Sequence, residues 1–283
     1  MKAWPAPAKI NLFLHVTGRR PDGYHELSTA FQFLDFGDDL NFVTRADGVI
    51  WLATELPGVD PEANLVVRAA RLLASETGTK DGADIYLEKR TPMGGGLGGG
   101  SSDAATTLVA LDRVWGTNLG TDALAELGLR LGADVPVFVR GRAAFAEGVG
   151  EKLTPHEFEE PWYVVIDPCV TISTAEVFSA PELTRDGSQA TISCFAMGAE
   201  HNDCEPVVRS RYPEVARALD WLALRGPARL TGTGGCLFGW YADKAQAQAV
   251  AAEVPPPWQA ILARGRNRSP LLDALQAGGA SSV

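Results

Sequence analysis

The chain has 283 residues, enough for one large domain or two of ordinary size, each with its own core. Hydrophobic residues make up 46% and charged residues 21%, a balance that excludes wholesale disorder. The net charge of −10 argues against a general nucleic-acid binder, which needs a basic surface.

In chain order, the N-terminal MKAWPAPAKINLFLHV lacks the long apolar core and cleavage site of a signal peptide. Ile10–Val16 predicts a strand, and Thr17–Gly23 a turn built on Gly18, Pro21 and Gly23. Phe31–Phe36 and Leu40–Val43 predict two further strands. Asn64 has the side chain to cap a helix whose apolar positions are Leu65, Val66, Ala69, Leu72 and Leu73, and Gly78 suits its end. Asp84–Glu88 reads as a short strand feeding a glycine-rich loop. A helix over Ser102–Trp115 follows, with Ala105, Leu108, Leu111 and Trp115 on one stripe, and another after Thr121 through Leu124, Leu127 and Leu131. Leu153–Pro161, acidic and proline-flanked, is the expected boundary between a domain of residues 1–155 and one of residues 156–283. Beyond it, Trp162–Ile166 reads as a strand, Pro213–Arg225 and Asp243–Glu253 as helices, and Arg229–Thr231 and Cys236–Tyr241 as strands around a second glycine turn. Arg264, Arg266 and Arg268 suit a solvated face, and Ala277–Val283 a loose tail. Cys169, Cys194, Cys204 and Cys236 match no zinc spacing and read as free thiols of a reducing compartment, which makes a cytoplasmic location the expectation.

The glycine-rich loop carries the chemistry. Six of the seven residues from Gly94 to Gly100 are glycine. Without Cβ atoms, they let backbone amides approach a ligand closely. The helix that follows offers unpaired N–H groups and a partial positive charge, which favour an anion. Strand, glycine loop and helix therefore make a polyphosphate site, whose serine hydroxyls can contact phosphate or Mg²⁺. A flexible linker or a helix simply capped by Ser102 is the bland alternative. The loop has no Walker lysine, and the G-x-G-x-x-G spacing through Gly94, Gly96 and Gly99 is nonspecific among so many glycines.

Three segments in order resemble the motifs of the galactokinase–homoserine kinase–mevalonate kinase–phosphomevalonate kinase superfamily: Pro7–Leu12 (PAKINL), Pro92–Ser102 (PMGGGLGGGSS) and Leu230–Cys236 (LTGTGGC). Four longer stretches are similar to the branch acting on a cytidine diphosphate-linked polyol. They are Pro7–Leu27, Pro92–Ala105, Leu131–Val139 (LGADVPVFV) and Asn202–Glu205 (NDCE). The resemblance implies an α+β fold, a two-domain α/β sandwich with the active site between its halves. The N-terminal ATP-loop domain should hold a left-handed β-α-β crossover, against the usual right-handed rule, and the C-terminal domain should be ferredoxin-like. The implied activity is ATP-dependent phosphorylation of the 2-hydroxyl of the methylerythritol unit, in the non-mevalonate route to isoprenoid precursors. ATP would bring Mg²⁺, and neither nucleic acid nor membrane would be a partner. No oligomeric state is implied.

The same resemblance assigns roles. ATP would be held by Pro92, Met93, Gly94, Gly95, Gly96, Leu97, Gly98, Gly99, Gly100, Ser101 and Ser102, with Ser101, Ser102 and Asp103 as candidate Mg²⁺ ligands. Asp134 would be the general base for the substrate hydroxyl, although before Val135-Pro136 it is equally suited to cap a helix. Lys9 would be its electrostatic partner, where the plain alternative is a solvated strand-edge lysine. Asn11 would bind substrate beside Lys9, Tyr24 would stack on cytosine, His25 would hydrogen-bond it, and Phe178 near Thr174 would form the second aromatic wall. Asn202–Glu205 has no role derivable from sequence, and His15 and His156 read as structural or surface residues. The rival readings are a sister kinase acting on homoserine or mevalonate, a nucleotide-dependent oxidoreductase, and a catalytically dead nucleotide-binding regulator.

Overall fold

The computed structural model describes residues 3–187 and 200–279; Cys194 and residues 280–283 of the expected tail lie outside the described residues. β1 (Trp4–Arg19) and β2 (His25–Arg45) form a long antiparallel hairpin. β1 takes in Thr17–Arg19, so the expected turn narrows to residues 20–24, where the N–H of Arg20 donates to the carbonyl of Tyr24 at 2.7 Å. The two strands expected at Phe31–Phe36 and Leu40–Val43 are one. Gly37-Asp38-Asp39 looks like a turn in sequence, but Gly37 lies against β1, where a Cβ would sit 2.2 Å from the Ala6 carbonyl oxygen. Tertiary contact keeps the chain extended there.

β3 (Ile50–Leu52), α1 (Leu65–Thr77) and β4 (Gly82–Glu88) form a β-α-β crossover with parallel strands. Asn64 caps α1 by accepting the N–H of Val66 at 2.8 Å, and Gly78 ends it at φ 68°. The fold continues through α2 (Gly99–Val114), α3 (Thr121–Leu129), α4 (Val135–Arg140), β5 (Ala144–Gly148), β6 (Lys152–Pro155) and β7 (Trp162–Asp167). Then come α5 (Thr174–Ser179), α6 (Glu205–Arg211), α7 (Pro213–Ala223), β8 (Ala228–Leu230), β9 (Leu237–Tyr241), α8 (Lys244–Ala252), β10 (Gln259–Arg266) and α9 (Pro270–Gly279).

β2 is the spine. β1 pairs along one edge, while β5, β10 and β4 pair in succession along the other. The main path runs β3-β4-β2-β10-β7-β9-β8. One apolar core lies between this sheet and helices α1 to α4, with Leu73, Leu108, Leu111 and Phe138 at its centre. A second, around Val164, Ile166, Val208 and Leu222, is covered by α5 to α8. A third joins the two halves, where Ile10 and Phe13 of β1 meet Leu97, Cys236 and Phe238. Mixed sheet and covering helices give the α+β class expected.

Four local expectations change. α2 begins at Gly99, after Gly98 in the left-handed region at φ 71°. Ser101 and Ser102 therefore lie inside its first turn, and Gly98 rather than Ser102 occupies the capping position. Within Leu153–Pro161, the first three residues belong to β6, and Phe158 is buried in the joining core. Ala277–Gly279 belongs to α9 rather than a tail. Of the arginines expected on a solvated face, only Arg264 is exposed; Arg268 is half-buried and paired with Asp273. Among the described residues no helix is long and apolar enough to cross a membrane. Cys169 is an exposed free thiol, and Cys204 and Cys236 are buried ones.

Candidate active site

The glycine loop runs across the joining core and is held from both sides. Leu97 is buried there and anchors it, and its carbonyl accepts the backbone N–H of Lys9 at 2.9 Å. The carbonyl of Gly95 accepts the N–H of Cys236 at 2.9 Å. The second glycine turn packs directly on the first loop. Gly96 has φ +78°, and a Cβ on it would lie 2.4 Å from the carbonyl oxygen of Thr231. A Cβ on Gly235, at φ +93°, would lie 2.6 Å from the oxygen of Gly94. Both positions need glycine twice over, for backbone angle and for space.

Lys9 and Asn11 alternate along β1 and so share one face. The Lys9 ammonium donates to Asn11 Oδ1 at 2.6 Å and lies 3.3 Å from Asp134 Oδ2. Asn11 is itself held, its Nδ2 donating to Thr29 Oγ1 at 2.9 Å, while its backbone N–H donates to Thr231 Oγ1 at 3.0 Å. Lys9 is almost fully buried, whereas the Asp134 side chain remains 33% exposed toward the cleft. Asp134 stands in the capping position of α4 but makes no side-chain capping bond. Its carboxylate lies beside Lys9 at the cleft instead.

The cleft has a volume of about 590 Å³, within the range of small-molecule sites. Lys9, Asn11, Asp134, Thr174 and Phe178 line it, together with the loop from Pro92 to Ser101. Ser102 is fully buried behind that wall. Thr174 bonds Thr233 of the second glycine turn, oxygen to oxygen at 2.8 Å. His25 is buried and stacks on Phe178 with centroids 5.0 Å apart at 20°. The Nε of Arg185 donates to His25 Nε2 at 3.2 Å, which requires an unprotonated Nε2. Burial, and the charges of Arg185 and Arg19, hold the His25 pKa below its ordinary value. Tyr24 is 64% exposed and does not line the cleft.

Two groups of polar residues have partners that the sequence did not show. Lys89, at the cleft wall, donates to Asp38 Oδ2 at 2.6 Å and to Asp103 Oδ2 at 2.7 Å. Asp38 is satisfied further by the backbone N–H groups of Arg90 and Thr91, at 2.6 and 2.7 Å. Two buried carboxylates thus share one ammonium. Burial raises the Asp103 pKa to about 7, Asp38 adds to the rise, and Lys89 offsets only part of it. Burial works against the Lys89 charge, yet its two carboxylate neighbours hold its pKa above the ordinary value. Asp103 Oδ1 and Ser102 Oγ are buried without a partner among the described residues. Asp38 lies in β2, Asp103 in α2, and Lys89, Arg90 and Thr91 in the segment that follows β4, and no short motif joins them.

The second group is the unexplained Asn202–Glu205. Asn202 donates through Nδ2 to the carbonyls of Leu230 and Gly232, at 3.0 and 2.8 Å, and accepts the N–H of Cys204 at 2.9 Å. It pins the second glycine turn, which supports the first. Its distinctiveness in the sequence was the available signal, but the partners are visible only in three dimensions.

Comparison with known proteins is consistent across the chain. The GHMP kinases N terminal domain matches residues 64–142, and the GHMP kinases C terminal domain residues 189–258. A 4-diphosphocytidyl-2-C-methyl-D-erythritol kinase of Pseudomonas paraeruginosa is 59% identical over 94% of this chain and 95% of its own length. One of Nitrosococcus oceani is 58% identical over 99% of this chain and 100% of its own. A crystal structure of 4-(cytidine 5'-diphospho)-2C-methyl-D-erythritol kinase superposes with TM-score 0.81 at 33% identity, covering 93% of this chain and 99% of that one. A mevalonate kinase structure, at 16% identity and TM-score 0.70 over 95% of this chain and 100% of its own, shares the fold. The chain belongs to the GHMP kinases and, within them, to the family of the 4-diphosphocytidyl-2-C-methyl-D-erythritol kinases.

Proposed function

We propose that this chain transfers a phosphoryl group from ATP to the 2-hydroxyl of 4-diphosphocytidyl-2-C-methyl-D-erythritol, a step toward isoprenoid precursors by the non-mevalonate route. The observation that carries this reading is the Lys9–Asp134 pair, 3.3 Å apart, in a cleft walled by the glycine loop. ATP, when bound, supplies the phosphoryl group. The chain's own residues do the rest. Asp134, open to the cleft, accepts the substrate hydroxyl proton. Lys9, oriented by Asn11 and buried where charges act strongly, stabilises the negative charge that develops on that oxygen. The glycine loop and the first turn of α2 cradle the phosphates. The donors fit Mg²⁺ brought with the nucleotide. Ser101 lines the cleft, and Ser102 Oγ and Asp103 Oδ1, without a partner among the described residues, are hard oxygens.

Cytosine recognition falls to Phe178, Thr174, His25 and Tyr24. Phe178 offers the apolar wall, supported from beneath by stacked His25. Arg185 already occupies His25 Nε2, so the neutral ring presents Nδ1–H as its donor. Tyr24 supplies an exposed ring at the tip of the β1–β2 hairpin. We place the domain division near residue 155, between the end of β6 at Pro155 and the start of β7 at Trp162. The acidic net charge of −10 and the free thiols support a cytoplasmic enzyme without nucleic-acid or membrane partners. A coupled ADP-release assay across the three alcohols tests the reading. Turnover is expected with the cytidine-linked polyol, and turnover with homoserine or mevalonate alone would overturn it.

A further inference from the structure

On the far side of β1 from the catalytic pair, a polar cluster has no part in the proposed reaction. The backbone ladder between β1 and the segment before α6 pairs Leu14 with Asn202 in parallel register. The N–H of Leu14 donates to His201 O at 3.1 Å, and the N–H of Asp203 donates to Leu14 O at 2.8 Å. Side chains alternate along extended chains, and directly paired residues share a face. Asn202 therefore turns toward the second glycine turn, while His15, His201 and Asp203 all face the opposite way. The single pairing that orients Asn202 also brings three metal-ligating side chains together.

We propose that His15, His201 and Asp203 form a site for a divalent transition-metal ion of the zinc class. One ligand atom from each lies within 4.8 Å of the others. His15 Nδ1 is 3.5 Å from Asp203 Oδ1, and His201 Nε2 is 2.8 Å from the same oxygen. Ligand atoms around one tetrahedral zinc stand about 3.3 Å apart, from bonds of about 2.0 Å, so small side-chain adjustments suffice, and His201 is free to make them because it is 66% exposed.

The surroundings fit the same ion. The other nitrogen of His15, Nε2, lies 2.5 Å from Glu200 Oε2. A carboxylate accepting Nε2–H leaves the Nδ1 lone pair for a metal, the arrangement found behind most metal-bound histidines. The second oxygen of Asp203, Oδ2, accepts the N–H of Val16 at 2.7 Å, which fixes the carboxylate. His15 and Asp203 are buried, while His201 opens the fourth position to solvent. Two imidazoles and a carboxylate select zinc-class ions over Mg²⁺ and Ca²⁺, which prefer all-oxygen sets. Such an ion would cross-link β1 to the segment before α6, outside the cleft lining.

The test uses the full chain, stripped with a chelator and titrated calorimetrically with ZnCl₂, with Co²⁺ as the spectroscopic probe. One Zn²⁺ per chain is expected, along with the intense visible absorption of four-coordinate Co²⁺. His201→Ala should weaken Zn²⁺ binding by at least ~10-fold and remove the Co²⁺ bands, and Glu200→Gln should weaken binding by ~10-fold through His15. Since His201 is exposed, ADP release by the His201→Ala variant should stay normal, which confirms an intact fold. No saturable Zn²⁺ site in the parent, or equal Zn²⁺ affinity in His201→Ala, overturns the proposal. Neither result bears on the kinase reading, which the ADP-release assay decides separately.

Discussion

Asn202→Ala is the sharpest test of how the cleft is supported. The side chain is 1% exposed. Its amide donates to the carbonyls of Leu230 and Gly232 and accepts the N–H of Cys204, all at 3.0 Å or less. Alanine leaves three backbone groups without their partner. Each buried, unsatisfied group costs ~1–3 kcal/mol, so the full sum is ~3–9 kcal/mol, and relaxation and water entry place the expected loss near ~3 kcal/mol. With a urea slope of ~3 kcal/mol/M for a chain of this size, the midpoint should fall by ~1 M at unchanged slope. The second glycine turn would loosen against Gly96, so the nucleotide KM should rise in the same variant. The assays are urea unfolding followed by circular dichroism, and ADP-release kinetics. A midpoint shift under ~0.3 M, equivalent to ~1 kcal/mol, would show that Asn202 does not hold the turn.

Asp134→Asn should lower kcat by ~10²–10⁴-fold with little change in nucleotide KM; near-normal turnover in a steady-state assay removes the base assignment. Gly96→Ala places a Cβ 2.4 Å from Thr231 O at φ +78°; the left-handed angle alone costs ~1–2 kcal/mol, so nucleotide affinity should fall by ~10-fold or more, and unchanged affinity by equilibrium titration contradicts the close packing of the two loops. For Asp103, the folded pKa of about 7 lies above the ~3.9 of a free aspartate. The folded state therefore binds its proton more tightly, and the stability gained is complete below pH ~4 and lost as pH rises through about 7. Asp103→Asn should flatten that decline in urea midpoints between pH 4 and 8, and a variant declining as steeply as the parent argues against the assignment.

Much of this protein was legible in sequence because the signals are short-range. Asn64 and Gly78 bound α1 as expected, since capping depends on one side chain and on one residue's backbone freedom. The run Gly94–Gly100 marked a loop of close backbone approach. The motifs Pro7–Leu12 and Leu230–Cys236 fall on strand β1 and on the turn between β8 and β9. Where sequence misjudged, a distant contact overrode a local preference. Gly37-Asp38-Asp39 has turn composition, but β1 presses on Gly37 and Lys89 holds Asp38, so β2 passes straight through. The helix after the glycine loop starts before its serines because Gly98 takes the left-handed turn.

What the sequence by itself determined is the chemistry available: glycines able to cradle phosphate, one lysine and one aspartate in recognisable motifs, and the elements that carry them. Only the tertiary structure decided which groups meet. Lys9 reaches Asp134 because β1 and the start of α4 converge on the cleft, Lys89 just after β4 joins Asp38 of β2 to Asp103 of α2, and Asn202 reaches Gly232 through one parallel bridge to β1. Propensity and periodicity act over a few residues, whereas these pairings depend on sheet register and burial, which no short window of sequence contains.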